Sequence, residues 1–67
     1  MTRKLKIARV IADKTQIQLA EESGISKDYI SALERGITRN PSLETMKKLS
    51  KDLNVPVTEL FFAEDDI

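Results

Sequence analysis

The feature that most constrains this chain is its punctuation. Gly24, Gly36, Pro41 and Pro56 cut it at short intervals, and between them the apolar residues fall at helical spacing. No alternating run is long enough for a sheet strand, so the segments must pack as short helices around one core. Arg3 to Asp13 reads as a first helix with Leu5, Ala8 and Ala12 on one face. Ile7, Val10 and Ile11 widen its apolar surface and leave its buried side open. Thr15 caps a second helix, Gln16 to Ser23, which Gly24 ends. Ser26 caps a third, Lys27 to Arg35, stopped by Gly36. Ser42 caps a fourth, Leu43 to Leu53, with Leu43, Met46, Leu49 and Leu53 facing inward and Asn54 as a left-handed C-cap. Pro56 opens a short fifth helix through Phe61 or Phe62. The expected fold is a compact all-α, five-helix domain over residues 1–67.

Composition narrows the function. With 67 residues, 40% of them hydrophobic, there is material for one core and no second. There is no cysteine and no histidine, which excludes disulfides, thiolate or imidazole metal sites and the commonest general base. No convergent set of carboxylates takes their place, so neither an enzyme nor a cofactor is expected. The formal net charge of zero hides an asymmetry. Residues 1–51 carry +5, residues 52–67 carry −5, and the last five form an acidic tail, 63–67. A basic body of this kind suits a nucleic-acid surface, whereas the tail would be repelled by phosphate. No apolar run is long enough to cross a membrane, and Met1-Thr2-Arg3-Lys4 lacks an apolar signal-peptide core. A cytoplasmic protein is expected.

The informative stretch is Gln16 to Arg35: a helix, a tight turn centred on Gly24, and a second capped helix. Ala20 is small where the two helices cross, Gly24 can take a positive φ, and Leu19, Ile25, Ile30 and Leu33 can lock the pair. This is the helix-turn-helix pattern, whose second helix enters the DNA major groove. At 100° per residue, Tyr29, Ile30, Leu33 and Glu34 share one arc of helix 3, and Lys27, Asp28, Ser31, Ala32 and Arg35 share the other. The second arc is the one a groove would see. Lys27 can donate to guanine or hold a phosphate, Asp28 can accept from cytosine, and Ser31 can serve base or phosphate. Asp28 can equally complement the helix dipole, and Ser26 can act as a cap alone. Arg35, on the same arc, is assigned to phosphate. Gln16, opening helix 2, can bind phosphate through its side chain and nearby N–H groups.

The chain resembles the lambda-repressor/Cro-like (Xre-type) helix-turn-helix regulators from Leu5 to Phe61. The likeness is carried by Thr15-Gln16, Leu19-Ala20-Glu21-Glu22-Ser23-Gly24-Ile25-Ser26, Tyr29-Ile30-Ser31, Leu33-Glu34-Arg35-Gly36, Asn40-Pro41-Ser42-Leu43-Glu44-Thr45 and Val55-Pro56-Val57-Thr58-Glu59-Leu60-Phe61. It implies a five-helix domain that binds double-stranded operator DNA as a two-fold dimer. It also implies base contacts from Ser26, Lys27, Asp28 and Ser31, and phosphate contacts from Gln16 and the loop Thr38-Arg39-Asn40. Tyr29 is expected to pack with its hydroxyl at the DNA edge, within reach of phosphate. Arg9 and Glu34 are implied as a structural ion pair between helices 1 and 3, with no DNA role.

Four positions depart from the family pattern. Asp13 stands where a capping glycine is usual, Lys14 where an apolar residue is usual, Ile17 where a polar one is usual, and Pro56 where a capping Ser or Asp is usual. Phe62 directly follows Phe61, and neighbouring helical residues cannot face one way. Phe62 with Val57 and Leu60 can form an isologous dimer patch, or Phe62 can fold back over the core. The expected function is a homodimeric repressor of transcription on a palindromic operator. The alternative is an antitoxin-like or other protein-interaction module on the same fold, with a protein partner.

Overall fold

The computed structural model describes residues 3–37 and 41–62. It contains α1 (Arg3–Ile11), α2 (Gln16–Ser23), α3 (Lys27–Glu34), α4 (Leu43–Leu53) and a terminal π-helical turn, α5 (Thr58–Phe62). There is no strand among the described residues, and no helix is long and apolar enough to cross a membrane. The expected α2 and α4 are found residue for residue. α1 stops two residues before Asp13, and α3 gives way at Arg35, which serves as its C-cap.

The helix ends follow from local chemistry. Thr15 is extended, its hydroxyl accepts from the Gln18 N–H at 3.0 Å, and the Gln18 side chain accepts from the Thr15 N–H at 2.8 Å. This reciprocal capping box satisfies two donors that the first turn of α2 would otherwise leave open. Ser26 and Ser42 cap α3 and α4 without the reciprocal half, their hydroxyl oxygens accepting from the Tyr29 and Thr45 N–H groups, each at 3.1 Å. At the other ends, Gly24 and Asn54 adopt the left-handed conformation, at φ 78° and 59°. Asp13 does so too, at φ 61°. Its N–H bonds to the Val10 carbonyl and the Lys14 N–H to the Arg9 carbonyl, a Schellman closure of α1. Asp13 thus takes the backbone role of the usual glycine, at the steric cost of a Cβ.

Leu5, Leu19, Ile30, Leu33, Leu49 and Leu60 are fully buried, with Leu53 beside them. Ala8, Ala12, Ala20, Ile25, Tyr29, Val55 and Phe61 pack around this core. α2 lies against α3 and α4, while α1 lies against α3 and α5. Two expectations are corrected. Leu43, expected to face inward, is 57% exposed, because the first turn of α4 projects beyond the core that Leu49 and Leu53 reach. Leu60, expected on a surface patch with Val57 and Phe62, is 1% exposed and belongs to the core. The terminal turn inserts it against α1, leaving Val57 half-buried and Phe62 exposed.

Candidate nucleic-acid interface

α2 and α3 are joined by a three-residue turn, Gly24 to Ser26, tied at its start by the last residue of α2. The Ser23 hydroxyl donates to the Leu19 carbonyl at 2.6 Å and accepts from the Ile25 N–H at 3.3 Å. Gly24 supplies the positive φ, and Ile25 tucks against the core. Ser26 then turns the chain into α3. Buried Ile30 and Leu33 hold one side of α3, so its rotation about its axis is set by the core.

That rotation leaves Lys27, Asp28 and Arg35 exposed, with Ser31 and Ala32 half-buried between them. Tyr29 is half-buried against the core. The Ser26 oxygen is engaged by its own helix, so its hydroxyl proton is the part left to donate outward. Asp28 sits in the first turn of α3, where a carboxylate complements the helix dipole. Thr38, Arg39 and Asn40 lie outside the described residues.

Behind this surface lies a polar network. Arg9 Nε donates to Glu34 Oε2 at 2.7 Å, and Nη2 to Oε1 at 3.2 Å. The third donor, Nη1, reaches the Lys14 carbonyl at 2.8 Å, tying α1, α3 and the α1–α2 corner together. The side chains are 11% and 3% exposed, so this pair is almost dry. Gln16 joins it: Nε2 donates to Glu34 Oε1 at 2.9 Å. The Gln16 side chain is therefore anchored to α3, with its carbonyl oxygen and second amide proton still to spend.

Lys14, anomalous in sequence, has a job at the same corner. Its ammonium donates to Glu22 Oε1 at 2.5 Å and to the Asp52 carbonyl and carboxylate at 3.2 and 3.3 Å. It thereby places a cation at the C-terminal end of α4, where carbonyls are unpaired and the dipole is negative. The hydrogen bond to Glu22 holds the Lys14 pKa above its usual value, and the same bond holds Glu22 below the ordinary carboxylate range. Nothing in the spacing marks Asp52, 38 positions away, as a partner of Lys14, and the Gln16–Glu34 bond was equally invisible. Ile17 is 55% exposed and shares a shallow hollow with Val10, Gln16 and Lys27, at the edge where α2 and α3 both begin.

The comparisons agree with this geometry. The helix-turn-helix family matches residues 5–60. The transcriptional regulator SlrR of Bacillus subtilis is 57% identical over 47 residues, 70% of this chain and 31% of SlrR. The HTH-type transcriptional regulator MJ0272 of Methanocaldococcus jannaschii is 38% identical over 66 residues, 98% of each chain. The cryptic phage CTXphi transcriptional repressor RstR of Vibrio cholerae is 40% identical over 57 residues, 85% of this chain and 50% of RstR. The chain therefore spans a third to a half of SlrR and RstR and nearly all of MJ0272. No solved structure matches it significantly. With the match running from the first core leucine to the last, across a capped helix, a glycine turn and a second capped helix, the chain belongs to the helix-turn-helix family of lambda-repressor-like (Xre) type.

Proposed function

We propose that this protein is a sequence-specific double-stranded DNA-binding transcriptional regulator, acting as a repressor by occupying a palindromic operator as a two-fold dimer. The observation that carries the reading is the exposed first turn of α3. Lys27 and Asp28 project from a helix whose start is capped by Ser26 and whose back is locked by Ile30 and Leu33. A rigid helix end with a free donor and a free acceptor is what direct readout of base edges requires. In this reading Ser26 and Ser31 complete the base contacts. Gln16, Tyr29, Arg35 and the loop Thr38-Arg39-Asn40 hold phosphates, which fix register without specifying sequence. Val57 and Phe62 belong to the dimer contact.

Selection of bound duplexes from a random library at about 150 mM salt tests this, because generic charge attraction is short-ranged there. A two-fold symmetric motif should emerge, and Lys27→Ala should alter it at matching positions of both half-sites. Binding to the selected site should weaken with salt at a log–log slope of about −0.9 per phosphate contacted. No enriched motif would refute the reading. Exposed Ile17 and Phe62 favour a second reading, a module whose surface binds another protein. A protein captured equally by wild type and Lys27→Ala, with no DNA motif, would support it.

A further inference from the structure

One carboxylate joins three helices beneath the exposed arc of α3. Glu34 of α3 accepts from Arg9 of α1 at both oxygens, and from Gln16 of α2 at Oε1. The two Arg9 bonds fix the carboxylate plane, and the third guanidinium bond, to the Lys14 carbonyl, fixes the guanidinium. Glu34 is so nearly dry that water does not compete for its oxygens. An ionised carboxylate only accepts, whereas a primary amide donates from its nitrogen and accepts at its oxygen. Gln16 therefore has one allowed orientation. Its nitrogen must face Glu34, because a flipped amide would set carbonyl oxygen against carboxylate oxygen. Gln16 is half-buried and also lines the shallow hollow it shares with Ile17 and Lys27. Its side chain thus runs from the dry pair to the surface where α2 and α3 both begin.

A free surface glutamine samples many rotamers, and fixing it on a ligand weakens binding by the entropy lost. Here that freedom is lost already in folding. Glu34 takes one amide proton and leaves the second with a fixed direction before any DNA arrives. We propose that Glu34 is a positioning residue for DNA binding, which turns the free amide N–H of Gln16 toward a phosphate without touching the nucleic acid itself. The inference rests on the reading of Gln16 as a phosphate contact and deepens it. It also gives the buried Arg9–Glu34 pair a second task. A pair that only held the fold could be exchanged for apolar side chains with little effect on DNA binding; one that orients Gln16 could not.

The DNA-free protein gives the first test. NMR relaxation of the Gln16 side-chain amide should give an order parameter near the rigid-backbone value of about 0.85, and a value below about 0.6 overturns the proposal. Fluorescence anisotropy on the duplex selected above gives the second, with thermal melts to check that each variant is folded. Gln16→Ala should weaken binding about tenfold. Arg9→Met with Glu34→Leu should weaken it by a similar factor although the protein stays folded. Adding Gln16→Ala to that pair should then cost less than about threefold more. Arg9→Met with Glu34→Gln keeps a carbonyl oxygen for the Gln16 N–H but leaves a buried amide nitrogen short of an acceptor. It should bind within about threefold of wild type while melting below the Glu34→Leu pair. Affinity and stability then run in opposite orders, which a scaffolding role alone does not produce. Wild-type affinity in the Glu34→Leu pair overturns the proposal. So do losses that simply add with Gln16→Ala, or a Glu34→Gln pair that binds no tighter than the Glu34→Leu pair. With a selected duplex in hand, any of these results sinks only the positioning role; no enriched duplex sinks the regulator reading, and that role with it.

Discussion

Replacing Glu34 by alanine removes the centre of the network beneath α3, and the cost can be worked from its partners. Glu34 accepts two bonds from Arg9 and one from Gln16, with its own side chain only 3% exposed. Without it, Arg9 keeps a single acceptor, the Lys14 carbonyl. Stranding one member of a buried pair costs about 3–5 kcal/mol. Arg9 is 11% exposed, so water can reach part of the guanidinium, and Glu34→Ala should fall near the lower end, about 3 kcal/mol. Arg9→Ala strands the drier carboxylate and should cost more, nearer 5 kcal/mol. A domain of 67 residues has a total stability of about 3–10 kcal/mol, so either change brings it close to unfolding. Urea melts should show the midpoint falling by about 3 M for Glu34→Ala, at a slope near 1 kcal/mol/M. Arg9→Met with Glu34→Leu should recover most of the loss, because apolar replacement of a buried pair is near neutral. A Glu34→Ala cost below about 1 kcal/mol, the range of surface pairs, would refute the argument. So would an Arg9→Ala protein with an unchanged melting point that no longer bound DNA, since Arg9 would then act on the nucleic acid directly.

Asp13→Gly should stabilise the protein by about 0.5–1 kcal/mol, since glycine meets no Cβ penalty at φ 61°. A differential melt should rise by about 4 °C, and a fall would mean that the Asp13 carboxylate makes a contact worth more than the strain. Leu60→Ala should cost about 2–5 kcal/mol while Phe62→Ala stays within about 0.5 kcal/mol, although the two stand two residues apart. Equal effects in chemical denaturation would put Phe62 back over the core. The Lys14–Glu22 bond sets a pH dependence with two edges. The folded Glu22 pKa is depressed, so its contribution is present above its unfolded value and is lost as pH falls through the folded one. The Lys14 pKa is raised, so its contribution is present below its unfolded value and is lost as pH rises through the folded one. Glu22→Gln should accordingly lose less stability than wild type on acidification below about pH 4.5. Parallel acid curves in low salt would show that the bond contributes nothing.

What could be read in the sequence spans a few residues at a time. Thr15, Ser26 and Ser42 cap helices through N–H groups three positions on, and Gly24 and Asn54 end them through carbonyls four back. Such contacts form within one turn whatever the rest of the chain does, so the boundaries of α2 and α4 were legible from residue order. The exposed arc of α3 was legible for a related reason: helical periodicity fixes which side chains oppose Ile30 and Leu33. The Arg9–Glu34 pair came from family resemblance, since nothing in its spacing of 25 residues implies contact. Tertiary structure alone decided where each apolar face found a partner. Leu60 went into the core and Leu43 did not, because burial depends on whether another element crosses that level of the helix. Lys14 met Asp52, and Gln16 turned to Glu34, for the same reason. Local hydrogen bonds determine where helices begin and end; which of their side chains meet is settled only when the helices stack, because that is when distant residues share a volume.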